Sequence, residues 1–403
     1  MAIFRLYPSQ DTDIANYDAS GNFLPIGISS SNVGASEILN LYQTSFAGDL
    51  APGQAQAHVL TQFDLTQLPS AILTGGAGFF LNLFNAQHSQ TLPAEYDVII
   101  AEISGGWQEG QGLDQDRYTD SGSANWVSAS LTATWVSQGG DINPTSSVFL
   151  SMSLPIPYYT GTTTSFFFQT GHEDLQADVS TLVMDWLGYG VPNNGFLIFI
   201  DPLLSGSDLY IKKFHSRQTH FPEKAPFLEA RWADWTGSLS TSSLFLVTQA
   251  GPWSGSYLDP RLSATMTGTL VNVTNSLVDP TGTVDLFMYD LKPVYEASET
   301  PVFQVQAQAK DWNPATVASA TLQTTGTVLS ACYYRVVDRL SGMELVPFGT
   351  GALQHTRLSF NDQGNYFQFD MSNVPSGKLC RFDFGYTVSG SWTVVPGPTF
   401  RVR

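Results

Sequence analysis

Cysteine is almost missing from this chain: two residues, Cys332 and Cys380, in 403. So few cannot build a disulfide framework. Both fall in strand-like stretches with no His or Asp gathered around them, so they read as buried free thiols of a protein made in a reducing compartment. Basic residues are scarce as well. Seventeen Lys and Arg face 35 Asp and Glu, a formal net charge of −18, which repels a polyanion and argues against nucleic acid as a partner. The same acid excess keeps a strand-rich chain soluble and discourages edge-to-edge pairing. Met1 to Pro8 shows no basic region followed by an apolar run, and no stretch approaches the roughly 20 apolar residues of a membrane helix. A soluble protein made in the cytoplasm, with no membrane partner, is expected. Signatures of catalysis are missing too: no Gly-x-Ser-x-Gly elbow, phosphate loop, His-Glu-x-x-His or Cys-x-x-Cys occurs, which predicts a protein that is not an enzyme.

What is present is the material of short strands. Charged residues make up 13% against 42% hydrophobic and 13% aromatic, with 35 Gly, so an all-β fold is expected. A chain of 403 residues exceeds one hydrophobic core and predicts two or three domains. Apolar-rich runs flanked by turn residues occur at Val59 to Leu65, Phe79 to Phe84, Phe196 to Ile200, Leu209 to Phe214 and Phe227 to Trp232. In Ala177 to Leu187 the spacing of Val179, Leu182, Val183, Trp186 and Leu187 is helical instead, with Asp178 placed to cap the first turn. The polar stretch Thr236 to Ser243 marks a domain break near 234 to 242. Further strand-like runs follow at Leu244 to Thr248, Arg261 to Val273, Thr283 to Tyr289, Val302 to Gln308, Val328 to Val337, Tyr366 to Phe369 and Arg381 to Tyr386. The expected plan is a jelly-roll-like β-sandwich with one short helix over 1–234, a small sandwich or extension over 235–294, and an immunoglobulin-like sandwich over 295–403.

Several features of the first 232 residues recur in a recognisable order. They are Asp11 to Ile14, Asn32-Val-Gly34, Gln62-Phe-Asp-Leu65 with Leu68-Pro69, Trp107-Gln-Glu-Gly110, Asn125-Trp126, Trp135 and Gly139-Gly-Asp141. Asp178 to Trp186, Pro192-Asn-Asn-Gly195-Phe196, Phe214-His-Ser-Arg217 and Pro226-Phe-Leu-Glu229 complete the series. In order and approximate spacing the series resembles the DNRLRE-type β-sandwich family, related to carbohydrate-binding modules and found in extracellular bacterial proteins and phage virion proteins. That family usually places an acidic residue after the Ser-Arg pair, where this chain has Gln218. The carboxy-terminal third carries a second likeness. Val294-Tyr-Glu-Ala, Phe303-Gln-Val, Lys310-Asp-Trp-Asn-Pro314, Tyr334-Arg-Val-Val-Asp338, Val346-Pro-Phe-Gly349, Thr356-Arg-Leu-Ser359, Gly364 to Asp370 and Phe400 to Arg403 look like modules of structural proteins from tailed-phage particles.

The candidate site residues each have two readings. Trp107, Trp126 and Trp135 could form a stacking platform for a sugar ring or could pack inside the fold. Asp11 and Asp13 could offer oxygen ligands to calcium or belong to a solvated loop. Glu102, Glu109 and the cluster His172-Glu173-Asp174 raise the question of a glycosidase pair, which requires two carboxylates across a cleft. His215 and His220, flanking Arg217, read as structural. Trp253, Trp312 and Trp392 are candidate contact points that could equally be buried in their own domains. The expectation from both resemblances is a structural component of a bacteriophage virion, in the neck, tail or capsid exterior. It would contact other virion proteins, and symmetry makes it a homo-oligomer or a multi-copy attachment. The alternative is a host-adhesion or receptor-binding protein that holds a surface glycan.

Overall fold

The computed structural model describes residues 2–16, 31–46, 53–70, 72, 76–88, 94–113, 123–142, 163–200, 210–237, 284–289, 291–309, 328–361 and 364–403. The chain divides into two compact units, Ala2–Ala233 and Asp234–Arg403, and both are built of β-sheets, antiparallel but for one pairing in the second unit, in agreement with the all-β expectation.

The first unit contains β1 (Ile3–Leu6), β2 (Pro8–Ala15), β3 (Ile38–Phe46), β4 (Gly53–Phe63), β5 (Gly78–Leu83), β6 (Tyr96–Glu102), β7 (Thr163–Phe168), β8 (Leu175–Asp178), helix α1 (Ser180–Gly188), β9 (Phe196–Ile200), β10 (Tyr210–His215) and β11 (Phe227–Arg231). A smaller sheet runs β1-β11-β5-β8 and a larger one β10-β3-β4-β9-β6-β7, with β2 also paired to β4. The centre of the larger sheet is apolar on both faces. Val59, Ile198 and Ile100 stand in one row, Leu60, Leu197 and Ala101 in the next, and all six are buried. Side chains alternate along a strand, so two adjacent apolar rows mean that both faces are covered.

Helix α1 begins later than the apolar spacing suggests. Asp178 belongs to β8, where Ala177 and Leu175 pair with β5, and its carboxylate reaches forward to accept from the amide of Ser180 at 3.0 Å. The first turn is thus capped from one residue before the N-cap position, Val179. Ahead of β9, Gly195 adopts φ +91° and a Cβ there would lie 2.4 Å from the carbonyl oxygen of Thr61, so only glycine fits the turn that launches the strand.

The second unit contains β12 (Val284–Tyr289), β13 (Val294–Tyr295), β14 (Val302–Ala309), β15 (Cys332–Asp338), β16 (Glu344–Val346), β17 (Ser359–Asn361), β18 (Gly364–Gln368), β19 (Leu379–Val388) and β20 (Ser391–Val402). Four strands run β12-β14-β18-β17 and five run β13-β20-β19-β15-β16. Aromatic rings fill the space between: Phe303 lies 5.3 Å from Phe367 and 5.4 Å from Phe382, and Phe382 stacks on Phe400 at 4.6 Å. Because β12 pairs with β14, residues 284–289 belong to the same sheet as the strands after 295. The runs expected at Leu244 to Thr248 and Arg261 to Val273, together with Trp253 and Trp312, lie outside the described residues. Phe400 to Val402 close β20, paired to β19 on one side and to β13 on the other.

Candidate functional site

Trp107, Trp126 and Trp135 come together, but inside the protein. They are only 5–7% exposed and pack with Ile14, Leu60, Leu197 and Phe199 against the outer face of the larger sheet of the first unit. The Trp107 indole N–H donates to the carbonyl of Asn194 at 2.9 Å and that of Trp135 to the carbonyl of Asn125 at 2.8 Å. The Trp126 ring rests 4.9 Å from His58, and a Cβ on Gly139 would meet it at 2.7 Å. These rings anchor an irregular stretch of chain over the sheet and present no open face to a sugar, so the stacking platform gives way to the packing alternative.

Asp11 and Asp13 are not in a loop either. Both sit on β2, each 1% exposed. The Asp11 carboxylate accepts from the backbone amide of Arg217 at 2.7 Å, while its own amide donates to Glu109 at 2.9 Å. Glu109 in turn takes both arms of the Arg217 guanidinium, with Nε at 2.6 Å. Arg217 therefore finds its carboxylate 108 residues away. Among the described residues no group of three or more His, Cys, Asp or Glu is arranged to hold a metal ion, and Asp18, the acid nearest in sequence to Asp11 and Asp13, lies outside the described residues.

Burial raises the Asp11 carboxyl to about 7, with the Glu109 charge adding to the rise and Arg217 opposing it. Its unfolded value is near 3.8, so the folded state holds the extra proton between those values. The stabilisation from this group is complete below about pH 4 and is lost as pH rises through 7. Asp11→Asn should therefore melt higher than the parent at pH 8, by an amount on the order of 3 kcal/mol, with the gap closing by pH 4. Equal melting temperatures at pH 8 would refute that. His58 acts with the opposite sign: burial pushes its ring down to about 4, so its contribution is present above pH 6.5 and disappears as pH falls through 4.

Two further acids of the first unit are buried. Glu102 is fully buried, and Glu229 holds Arg5 at 2.7 Å and Arg231 at 2.5 Å from β1 and β11. Each guanidinium also covers a ring, Arg5 over Phe227 at 4.2 Å and Arg231 over Phe80 at 4.1 Å. Glu102 and Glu109 are thus not a pair facing each other across an open cleft.

Sequence reasoning missed Lys212. It is 0% exposed on β10, and its ammonium donates to Asn85 Oδ1 at 2.7 Å and to the carbonyls of Gly171 and Glu173 at 2.8 and 2.7 Å. Phe168 and Phe214 flank it at 4.7 and 5.4 Å. Burial lowers its pKa to about 8, still above neutrality, so the charge and its three acceptors coexist at pH 7. His172-Glu173-Asp174 is the loop that this lysine closes, with Asp174 accepting from the amide of Asn85 at 2.7 Å. The one signal was position: Lys212 lies in the apolar alternation of Tyr210, Ile211 and Phe214.

Two concave features are formed by the described residues. An open groove of about 690 Å³ beside the end of α1 is lined by Phe63, Trp186 and Leu187 with Asp64, Thr66 and Asn193. A smaller cavity of about 180 Å³ in the second unit is lined by Thr236, Val302 and Gln368 among others. Cys332 and Cys380 are buried free thiols, each pushed up to about 12 by burial. They sit at opposite ends of the β15–β19 pairing, six residues apart or roughly 20 Å, far beyond the span of a disulfide. Trp392 is 45% exposed, resting on Gly385 and Tyr333, so it is a surface residue and not a buried one. His220 is exposed beside Glu37 at 2.9 Å.

Comparison of the chain with protein-family models returns no match, and neither does comparison with curated proteins.

Proposed function

We propose that this chain is a structural component of a bacteriophage particle, in the neck, tail or capsid exterior, and works through protein contacts without catalysis. The observation that carries this reading is how the polar side chains are used. Asp11, Glu109 and Arg217, Glu229 with its two arginines, and Lys212 with its three carbonyl acceptors each tie separate stretches of chain together. Groups capable of acid–base work are consumed as internal fasteners, which suits a rigid building block. The ordered motifs of both units supply the link to virion proteins, and two sandwiches in one chain offer several sheet faces and edges for assembly. Multi-copy placement about a symmetry axis follows for a particle component.

Quantitative mass spectrometry of density-purified particles of the phage that encodes the chain is the first test. The expected result is a fixed copy number per particle that persists through a second gradient. Its absence from purified particles, with the protein abundant in the lysate, would sink the proposal.

A further inference from the structure

The outer face of the four-stranded sheet in the second unit has an unusual make-up. By register, Tyr289 of β12 stands opposite Gln304 of β14, Gln304 opposite Tyr366 of β18, and Tyr366 opposite Ser359 of β17. Phe287 stands opposite Gln306, and Val302 opposite Gln368. The intervening Phe303, Val305 and Phe367 are buried, so alternation directs the first set outward, except that Ser359 at the end of the row is covered by Thr236, whose amide donates to it at 3.0 Å and whose hydroxyl meets that of Tyr366 at 3.0 Å. Phe287 and Tyr289 are each 46% exposed. Neither Lys nor Arg occurs on these four strands, and Asp285 is their one carboxylate.

We propose that this face binds a neutral glycan. An exposed ring covers the C–H face of a sugar, and a primary amide offers a donor and an acceptor side by side, the complement of neighbouring hydroxyls. Tyr289 and Tyr366 lie two strands apart in one row, a separation of about 10 Å, with Gln304 between them. That spacing suits stacking on alternate rings of an extended chain, the amide reading hydroxyls in the gap. The cavity of about 180 Å³ lies at the Tyr366 end of the row and has room for a terminal ring; Thr236 and Gln368 line it together with Asp234, His355 and Arg357, whose guanidinium is held by Gln354 and the carbonyl of Ser330 and lies over Trp235. Charge selects the class: an acidic glycan meets Asp285 and a chain of net charge −18, whereas a neutral one has no charge to desolvate. An apolar protein surface is a poorer occupant, since it would strip water from three glutamine amides; Gln306 accepts from the Tyr289 hydroxyl at 3.2 Å and Gln368 donates to the carbonyl of Thr300 at 3.4 Å, which leaves further donors and acceptors of both to solvent.

The inference rests on this face alone and stands apart from the particle reading. The full chain is applied to an array of immobilised neutral and acidic glycans, and the best neutral class is titrated as a soluble oligosaccharide by calorimetry. Binding confined to neutral glycans is expected, weakened about tenfold by Tyr289→Ala and by Gln304→Ala at unchanged melting temperature. Should Tyr289→Ala melt early, Gln304→Ala and Gln368→Ala carry the same test. Three outcomes would overturn the proposal: no neutral glycan bound, affinity unchanged in the variants, or sedimentation showing that Tyr289→Ala converts an oligomer to a monomer. The last would assign the face to a second copy of the chain.

Discussion

Glu229→Ala should destabilise the first unit by about 3–5 kcal/mol, the largest effect expected of any single substitution in it. The carboxylate is 2% exposed and serves two guanidiniums, one from β1 and one from its own strand, whose side chains are 7% and 11% exposed. Burial by itself would raise the Glu229 pKa, yet Arg5 and Arg231 together hold it below the ordinary value. Removing the acid leaves two positive charges close together with little water to screen them. Replacing the whole triad by Arg5→Met, Glu229→Leu and Arg231→Met should be far milder, within about 1 kcal/mol of the parent or better, because the desolvation cost goes with the charges. Urea unfolding of the three proteins decides the matter. A single substitution as mild as the triple one would show that the triad is not a buried charge cluster.

Lys212→Met comes second, at roughly 3 kcal/mol or more. Methionine matches the length of the stem and keeps contact with Phe168 and Phe214, so the loss isolates the three hydrogen bonds. Asn85 Oδ1 and the carbonyls of Gly171 and Glu173 would lose their shared donor, and the loop at 171–174 its tie to β10. Amide exchange offers a local readout: protection at Asn85, which donates to Asp174, should fall by more than protection at the centre of β4. Uniform loss across the unit, or none at all, would contradict the assigned role.

Much of the fold was legible because alternation and turn residues are local properties. The strands at Phe196–Ile200 and Phe227–Arg231 sit where the apolar runs place them, and Gly195 occupies the turn that Asn193 and Asn194 announce. The site was legible only in part. Trp107, Trp126 and Trp135 lie in a stretch without strand periodicity, which in sequence leaves a sugar platform and internal packing both open; in space it is folded over the larger sheet, and exposure is a tertiary property. Asp11 and Asp13 misled for the reverse reason. Two acids one residue apart suggest solvent, and the partners that allow them indoors, Arg217 and Asn40, are 206 and 27 residues away. Lys212 escaped notice because a buried lysine needs three acceptors from two distant segments, and spacing along a strand cannot show them.

On the proposed function the chain is a building block whose charged groups fasten it internally and whose outer faces meet partners. A reconstruction of the intact particle at side-chain resolution tests this most directly. It should show both sandwiches, Ala2–Ala233 and Asp234–Arg403, repeated around a symmetry axis on the neck, tail or capsid exterior and in contact with other virion proteins. A particle map with every density assigned to other chains would contradict it.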